Sequence, residues 1–300
     1  MDLRRSCRTR VRGTGRSEAS TLYSSRDRSN DRHPEGSARS VLADRYDAFL
    51  FDLDGVLYRG ADPVPAAAEA LTRLRAAGKR VAFVTNNASA TPSSVAQRLG
   101  GAGVEANVEE IETSALATAA LLAERGVTSA FVVGEVGIKE ALTQVGIRVV
   151  GAEQGEVEVV VVGLDRTADY DSLRAAAMLI DRGAAFIATN PDGSFPAPGG
   201  VRWPGAGALV AAVEATTDAK AEVVGKPNAP IFRAALARAG GGEPLVVGDR
   251  IDTDIAGAAA LGWDSMLVLT GISTRDEAAR SATPPTYIAA DLRALFEPVA

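Results

Sequence analysis

Phe49-Leu50-Phe51-Asp52-Leu53-Asp54-Gly55 runs three apolar residues straight into two carboxylates one residue apart, with a glycine behind them. A short apolar run of this kind reads as a buried strand whose end presents both acid groups at the carboxyl edge of a sheet. Two carboxylates that close repel, and an ordinary turn would let water separate them. A divalent cation is the usual reason to hold them together, because hard cations take oxygen ligands and carboxylates are strong ones. The same letters carry a second reading, since Asp-Gly after an apolar run is also the commonest hairpin-turn signal. The rest of the chain decides between the two.

From Tyr46 onward, strand, loop and helix patterns alternate. Residues 46–51 read as a strand, Pro65 opens a helix that Gly78 closes, and residues 81–85 form the next strand, ending in Asn86-Asn87. Helices are predicted at 92–99, 114–124, 136–145, 169–182, 206–216 and 251–261, with a short one at 291–296. Strands are predicted at 130–133, 147–150, 157–162, 185–189, 245–248 and 266–269, and a Pro/Gly-rich loop at 191–205. This alternation implies parallel sheets built from βαβ units.

Sites in open α/β sheets form beyond the carboxyl ends of the strands, so strand ends give a short set of candidates. Asp52 and Asp54 follow one strand and Thr85-Asn86-Asn87 the next. Lys226 follows Val223-Val224-Gly225, and Asp249 follows Leu245–Gly248, with Asp252 and Asp254 close behind. Each cluster taken singly has a bland explanation: turn chemistry for the Asn pair, a solvated loop for Lys-Pro, a helix cap for the aspartates. Four polar clusters at four apolar strand ends make that explanation poor for the set.

In this order, Asp52-Leu53-Asp54-Gly55-Val56, Thr85-Asn86-Asn87, Gly225-Lys226-Pro227 and Gly248-Asp249-Arg250-Ile251-Asp252-Thr253-Asp254 resemble the four motifs of the haloacid dehalogenase superfamily of phosphohydrolases. The resemblance covers residues 46–295 and is strongest to the branch of p-nitrophenyl, phosphoglycolate and glycerol-phosphate phosphatases. It implies an α/β protein with a Rossmann-like parallel-sheet core and an inserted α/β cap domain. It further implies a phosphatase in which Asp52 attacks phosphorus to form an aspartyl phosphate, and Asp54 protonates the leaving group and then activates water. Thr85 and Lys226 would bind phosphoryl oxygens, with Gly55, Asn86, Asn87 and Asn190 lining the substrate site. Mg2+ would be held by Asp52, the backbone carbonyl of Asp54 and Asp249, with Asp254 orienting these groups or the ion's waters. The resemblance gives Asp252 no role.

Spacing places the insertion. Between Asn87 and Lys226 lie 138 residues, and two helices account for the first part of them. About 100 remain to fold separately, near the small end of domain size. The expected boundaries are 1–43 for a disordered Arg-rich tail, 44–124 and 221–300 for the core, and 125–220 for the cap. Thr189-Asn190-Pro191-Asp192, after a cap strand, is expected to face the active site. A closing cap suits small phosphate esters, and the segments Pro285–Ile288 and Asp291–Arg293 are similar to bacterial glycerol-phosphate phosphatases. Glycerol 3-phosphate therefore ranks ahead of phosphoglycolate and nucleoside monophosphates. A non-catalytic phosphate sensor would be expected to lack Asp52 or Asp249, and a dehalogenase does not need Asp54; all three residues are present.

Composition narrows the remaining choices. One cysteine, Cys7, excludes an intrachain disulfide and a thiolate cage, and one histidine, His33, excludes His-based nucleophile activation unless His33 itself served. Some pyridoxal phosphate phosphatases of the resembled branch use a cap-loop His, so that substrate is lowered too. Residues 1–40 hold ten Arg against five acids, whereas residues 41–300 carry a balance of −11. That shift marks a tail joined to an acidic domain, with no aromatic interleaving to favour nucleic acid. The tail is expected to be dispensable, with Val41 an alternative start. No apolar run reaches a membrane span and no secretory signal opens the chain, so the expected location is the cytoplasm. A homodimer is an assembly open to it. Gly205-Ala206-Gly207 before a helix lacks the third glycine and the preceding strand of a dinucleotide fingerprint, and Trp203 and Trp263 are expected to be packing residues.

Overall fold

The computed structural model describes residues 23–24, 40–151, 153, 155–196 and 201–298. Six of the seven strands of the central sheet are parallel, in the order Tyr287–Ala289, Asp264–Val268, Pro244–Gly248, Ala48–Phe51, Arg80–Thr85, Ile111–Thr113. Numbered along the chain this is 6-5-4-1-2-3, the doubly wound order, and the winding order reverses between Ala48–Phe51 and Pro244–Gly248. Phe51 pairs with Val247 there, and Asp52 donates its amide to the Val247 carbonyl at 2.9 Å. The chain therefore emits Asp52 and Asp249 side by side at the crevice where ligands of such sheets bind.

The strand that begins at Ala48 is buried on both faces, and its period of two divides it between two cores. Phe49 and Phe51 pack with Leu71, Leu74, Val95 and Leu99 of the helices Ala67–Ala76 and Pro92–Gly101. Leu50 faces the opposite layer, with Ile231 and Phe232 of the helix Ala229–Arg238 and Ala115 and Leu122 of the helix Ser114–Glu124. Local chemistry starts two of these helices: the side chains of Thr91 and Thr113 accept the amides of Ser94 and Leu116.

The insertion builds a second parallel sheet, in the order Glu222–Val223, Ala185–Ala188, Val159–Val162, Ser129–Val133, Arg148–Val149. One face packs Phe131, Val133, Val160, Val162 and Phe186 against the helices Tyr170–Asp181 and Ala206–Thr217. The other face joins the same apolar cluster as Leu50 and Val84 of the central sheet, so the two sheets share a core through the helix Ser114–Glu124. Among the described residues no helix is long and apolar enough to cross a membrane.

Several boundaries differ from those read in the sequence. Glu222–Val223 pairs with Ala185–Ala188, so the inserted unit runs past the expected limit at 220. Most of the tail expected over 1–43 lies outside the described residues. Inside them, Tyr23–Ser24 pairs antiparallel with Tyr287–Ile288, and Leu42 and Ala43 are buried in the core. The helix expected from Pro65 begins at Ala67, because Ala66 sits at φ 66°, in the left-handed region, and breaks the turn. The loop expected over 191–205 contains a two-stranded hairpin, Ser194–Pro196 with Arg202–Pro204. On it Trp203 lies edge-on to Phe195 at 6.1 Å and is 47% exposed, unlike Trp263, which packs against the shared core. Gly205 and Gly207 donate their amides to the Gly193 and Asp192 carbonyls at 3.0 and 2.9 Å, which fastens this loop to the helix that follows.

Candidate active site

Lys226 stands at the centre of the site. Its ammonium is buried, ion-pairs with Asp52 Oδ1, lies 2.7 Å from Asp254 Oδ1 and donates to the Val84 carbonyl at 3.3 Å. Burial alone would push this lysine down; Asp254 and Asp52 more than reverse that and raise it. The backbone of Lys226 is fixed by Asn86, whose Oδ1 accepts the Lys226 amide at 2.7 Å while its Nδ2 donates to the Lys226 carbonyl at 3.1 Å. One asparagine at the end of the strand Arg80–Thr85 thus aims a lysine that arrives from the inserted unit.

Asp52, Asp249 and Asp254 each bring a carboxylate oxygen within 4.8 Å of the other two. Against three carboxylates Lys226 supplies one positive charge, and the excess of two negative charges is what a divalent cation balances. The donor set is all hard oxygen, as Mg2+ or Ca2+ requires. Burial pushes Asp52 well up, with Asp254 and Asp249 adding to it and Lys226 opposing. Asp249 is pushed up to about 6, first by burial and then by Asp254, against the Ile272 amide that donates to its Oδ2 at 2.8 Å. Two glycines make room for it: a Cβ on Gly55, which sits at φ 82°, would fall 2.4 Å from Asp249 Oδ2, and one on Gly271 would fall 1.9 Å from it. Asp254 sits in a single π-turn, Ile251–Ile255, where Asp254 and Ile255 both donate to the Arg250 carbonyl. π-Turns concentrate at functional sites because they re-aim a side chain within a helix.

The remaining expected site residues separate into two groups. Thr85 is buried at the strand end and accepts the Asn87 amide at 3.1 Å, which leaves its hydroxyl proton to donate. Asp54 lies at the opening, its side chain 64% exposed and 3.6 Å from Arg98 Nη2. The protein crowded around it raises its carboxyl, Arg98 and Lys226 oppose, and its exposure limits the effect.

The others make hydrogen bonds within the protein. The Gly55 amide donates to the Tyr58 carbonyl at 2.7 Å, so Gly55 walls Asp249 and offers no amide to substrate. Asn190 is buried and donates to the Asn86 carbonyl at 2.8 Å, and Asn87 Oδ1 accepts both the amide and the hydroxyl of Ser89. Asn190 thus holds the site's frame with Asn86, while Asn87, exposed, caps its own turn.

Sequence reasoning passed over Arg250. Its guanidinium grips Asp252 at 3.0 and 2.7 Å and reaches Asp192 of the inserted loop at 3.4 Å, while Asp192 also accepts from Asn86 at 3.0 Å. Asp252, given no role, therefore aims an arginine that bridges the two units beside the acid cluster.

Residues 49–148 match a haloacid dehalogenase-like hydrolase model, and residues 223–295 match a second, HAD-hydrolase-like model. An acid sugar phosphatase of Staphylococcus aureus is 38% identical over 251 residues, covering 83% of this chain and 96% of that protein. The chain belongs to the haloacid dehalogenase-like hydrolases. Among solved structures, it is similar to the glycerol phosphate phosphatase of Mycobacterium tuberculosis in complex with magnesium, at 37% identity and TM-score 0.82, over 87% of this chain and 79% of that one. The 4-nitrophenylphosphatase of Thermotoga maritima superposes with TM-score 0.79 at 31% identity, over 85% of this chain and 98% of that one. This haloacid dehalogenase-like hydrolase is a phosphatase, with an acid cluster able to bind a metal ion.

Proposed function

We propose that the protein is a magnesium-dependent phosphomonoester hydrolase that works through an aspartyl phosphate on Asp52. The observation that carries this reading is the Lys226 ammonium set between Asp52 and Asp254, with Asp249 beside them, at the point where the strand order of the central sheet reverses. A carboxylate held there is next to a fixed positive charge that binds the anionic phosphoryl group, whose charge would otherwise repel it.

In the first step an oxygen of Asp52 bonds to phosphorus. The bond from phosphorus to the ester oxygen breaks, its electron pair goes to that oxygen, and Asp54 supplies the proton that makes it an alcohol. In the second step Asp54, now a carboxylate, takes a proton from water as the water oxygen bonds to phosphorus. The bond to Asp52 breaks and its pair returns to that carboxylate. Lys226 and Thr85 bind the phosphoryl oxygens through both steps. Mg2+, held by Asp52 and Asp249 with Asp254 beside them, would cancel charge on the phosphoryl group. The inserted unit, as a cap, would exclude water during the first step.

The acid cluster gives the metal a pH signature. Asp249 and Asp52 are raised, so between about pH 4 and pH 6 the native protein holds protons that the unfolded chain has released. Stability without metal therefore falls as pH rises through that window, and a cation that replaces those protons stabilises more at higher pH. The gap in Tm between magnesium and EDTA is expected to be wider at pH 7.5 than at pH 5.0. An equal gap at both would place the ion elsewhere.

The relatives support a reading of the substrate class. One is an acid sugar phosphatase and another a glycerol phosphate phosphatase, which favours a small polyol or sugar phosphate, with glycerol 3-phosphate first. Arg250 and Asp192, charged and placed beside the acid cluster, are suited to a hydroxylated leaving group. The test is a set of kcat/KM values with magnesium over glycerol 3-phosphate, sugar phosphates, phosphoglycolate and nucleoside monophosphates. A tenfold preference for nucleoside monophosphates, about 1.4 kcal/mol in transition-state binding, would reverse the ranking. The location proposed for this metabolite phosphatase is the cytoplasm.

A further inference from the structure

Arg98 lies outside all four motifs, on the helix Pro92–Gly101, whose buried residues Val95 and Leu99 fix that helix against the central sheet. Its guanidinium is held from three directions. Nη2 donates to the Gly60 carbonyl at 3.0 Å, the group lies 4.3 Å above the Tyr58 ring, and Nη2 is 3.6 Å from Asp54 Oδ1. Tyr58 is itself buried and tied back to the nucleophile loop, because its carbonyl accepts the Gly55 amide. Among the described residues no other hydrogen bond or ion pair reaches the Asp54 carboxyl. The one partner of this carboxyl is planar and permanently charged, and is itself held by a carbonyl and a ring, so it gives the carboxyl a preferred direction.

We propose that Arg98 is a positioning residue for the proton transfer, holding the Asp54 carboxyl toward the oxygen that leaves phosphorus. This rests on the reading of Asp54 as the proton donor given above. The proton goes from Asp54 to the ester oxygen as the phosphorus–oxygen bond breaks, and Arg98 neither gives nor takes one. Proton donation matters when the leaving oxygen is an alkoxide, and matters little when it is a nitrophenolate, which is stable as an anion. A purely structural loss, such as loosening of the Tyr58–Gly60 loop, would slow both kinds of ester alike.

The experiment compares kcat/KM for glycerol 3-phosphate and 4-nitrophenyl phosphate in the full chain, Arg98→Leu, Arg98→Lys, Asp54→Asn and the Asp54→Asn/Arg98→Leu double variant. Arg98→Leu is expected to lose about tenfold or more beyond its loss on the nitrophenyl ester when assayed on the glycerol ester. Arg98→Lys recovers part of that excess, and the double variant is no worse than Asp54→Asn alone on the glycerol ester. Equal losses on both esters, or additive losses in the double variant, overturn the proposal. Should Asp54→Asn itself show no excess loss on the glycerol ester, the proton-donor reading fails, and the role of Arg98 fails with it.

Discussion

Asp52→Asn is expected to lower kcat by at least about 10⁴-fold, the scale on which removing a nucleophile acts. An amide at this position cannot form an acyl phosphate, and no other carboxylate in the cluster follows the first strand into the crevice. The same change is expected to leave the fold intact. Asp52 is one of three neighbouring acids, and its ionisation is opposed by burial and by the other two. Removing its charge relieves repulsion while Asp254 keeps its contact with Lys226. The Tm in EDTA should therefore hold or rise. Near-normal turnover in a folded Asp52→Asn protein would remove Asp52 from the chemistry.

Lys226→Met carries the opposite stability signature. Lys226 and Asp254 are almost wholly buried, and breaking a buried pair by deleting one partner costs about 3–5 kcal/mol because the other charge is stranded. For a chain of this size that corresponds to a fall in Tm on the order of 10 °C in EDTA. Magnesium should reduce the fall, because a cation in the acid cluster replaces the missing positive charge. Turnover should stay low even where stability is restored, since the ion does not replace the ammonium that meets the phosphoryl oxygens. Recovery of both stability and activity on adding magnesium would assign Lys226 to charge balance alone.

The parts of the site that were legible in the sequence are those that apolar strands deliver directly. Asp52 and Asp249 follow strands of buried residues and Thr85 ends one, and the reversal in strand order brings the two aspartates together. What escaped the sequence depends on pairings between distant residues. The strand Ile111–Thr113 was hidden because Glu112 sits in its middle, 2% exposed, and a buried acid argues against a strand until Arg238 is seen 2.8 Å away. Arg238 belongs to the helix Ala229–Arg238, which was also passed over although Asn228 and Pro230 form an ordinary start signal.

The asparagines carry two readings for a related reason. An Asn at a strand end reads equally as a substrate ligand or as a clamp, and the choice depends on what lies across the interface. Asn86 and Asn190 meet each other, Lys226 and Asp192, so their hydrogen-bonding capacity is largely used within the protein. Gly55 fits the same pattern: its missing side chain makes room for Asp249, 194 positions later in the chain. Asp192 lies in a loop expected to face the site and Arg250 in the fourth motif, but their pairing gave no sequence signal because it forms only when the inserted loop lies over the core.

The most direct test of the account is to trap the phosphoenzyme. Enzyme mixed with ³²P-labelled glycerol 3-phosphate and magnesium, then quenched in acid, should carry label that hydroxylamine removes and that maps to the peptide containing Asp52, and Asp52→Asn should carry none. Label on another residue, label that resists hydroxylamine, or full turnover with no label at any quench time would contradict an aspartyl phosphate on Asp52.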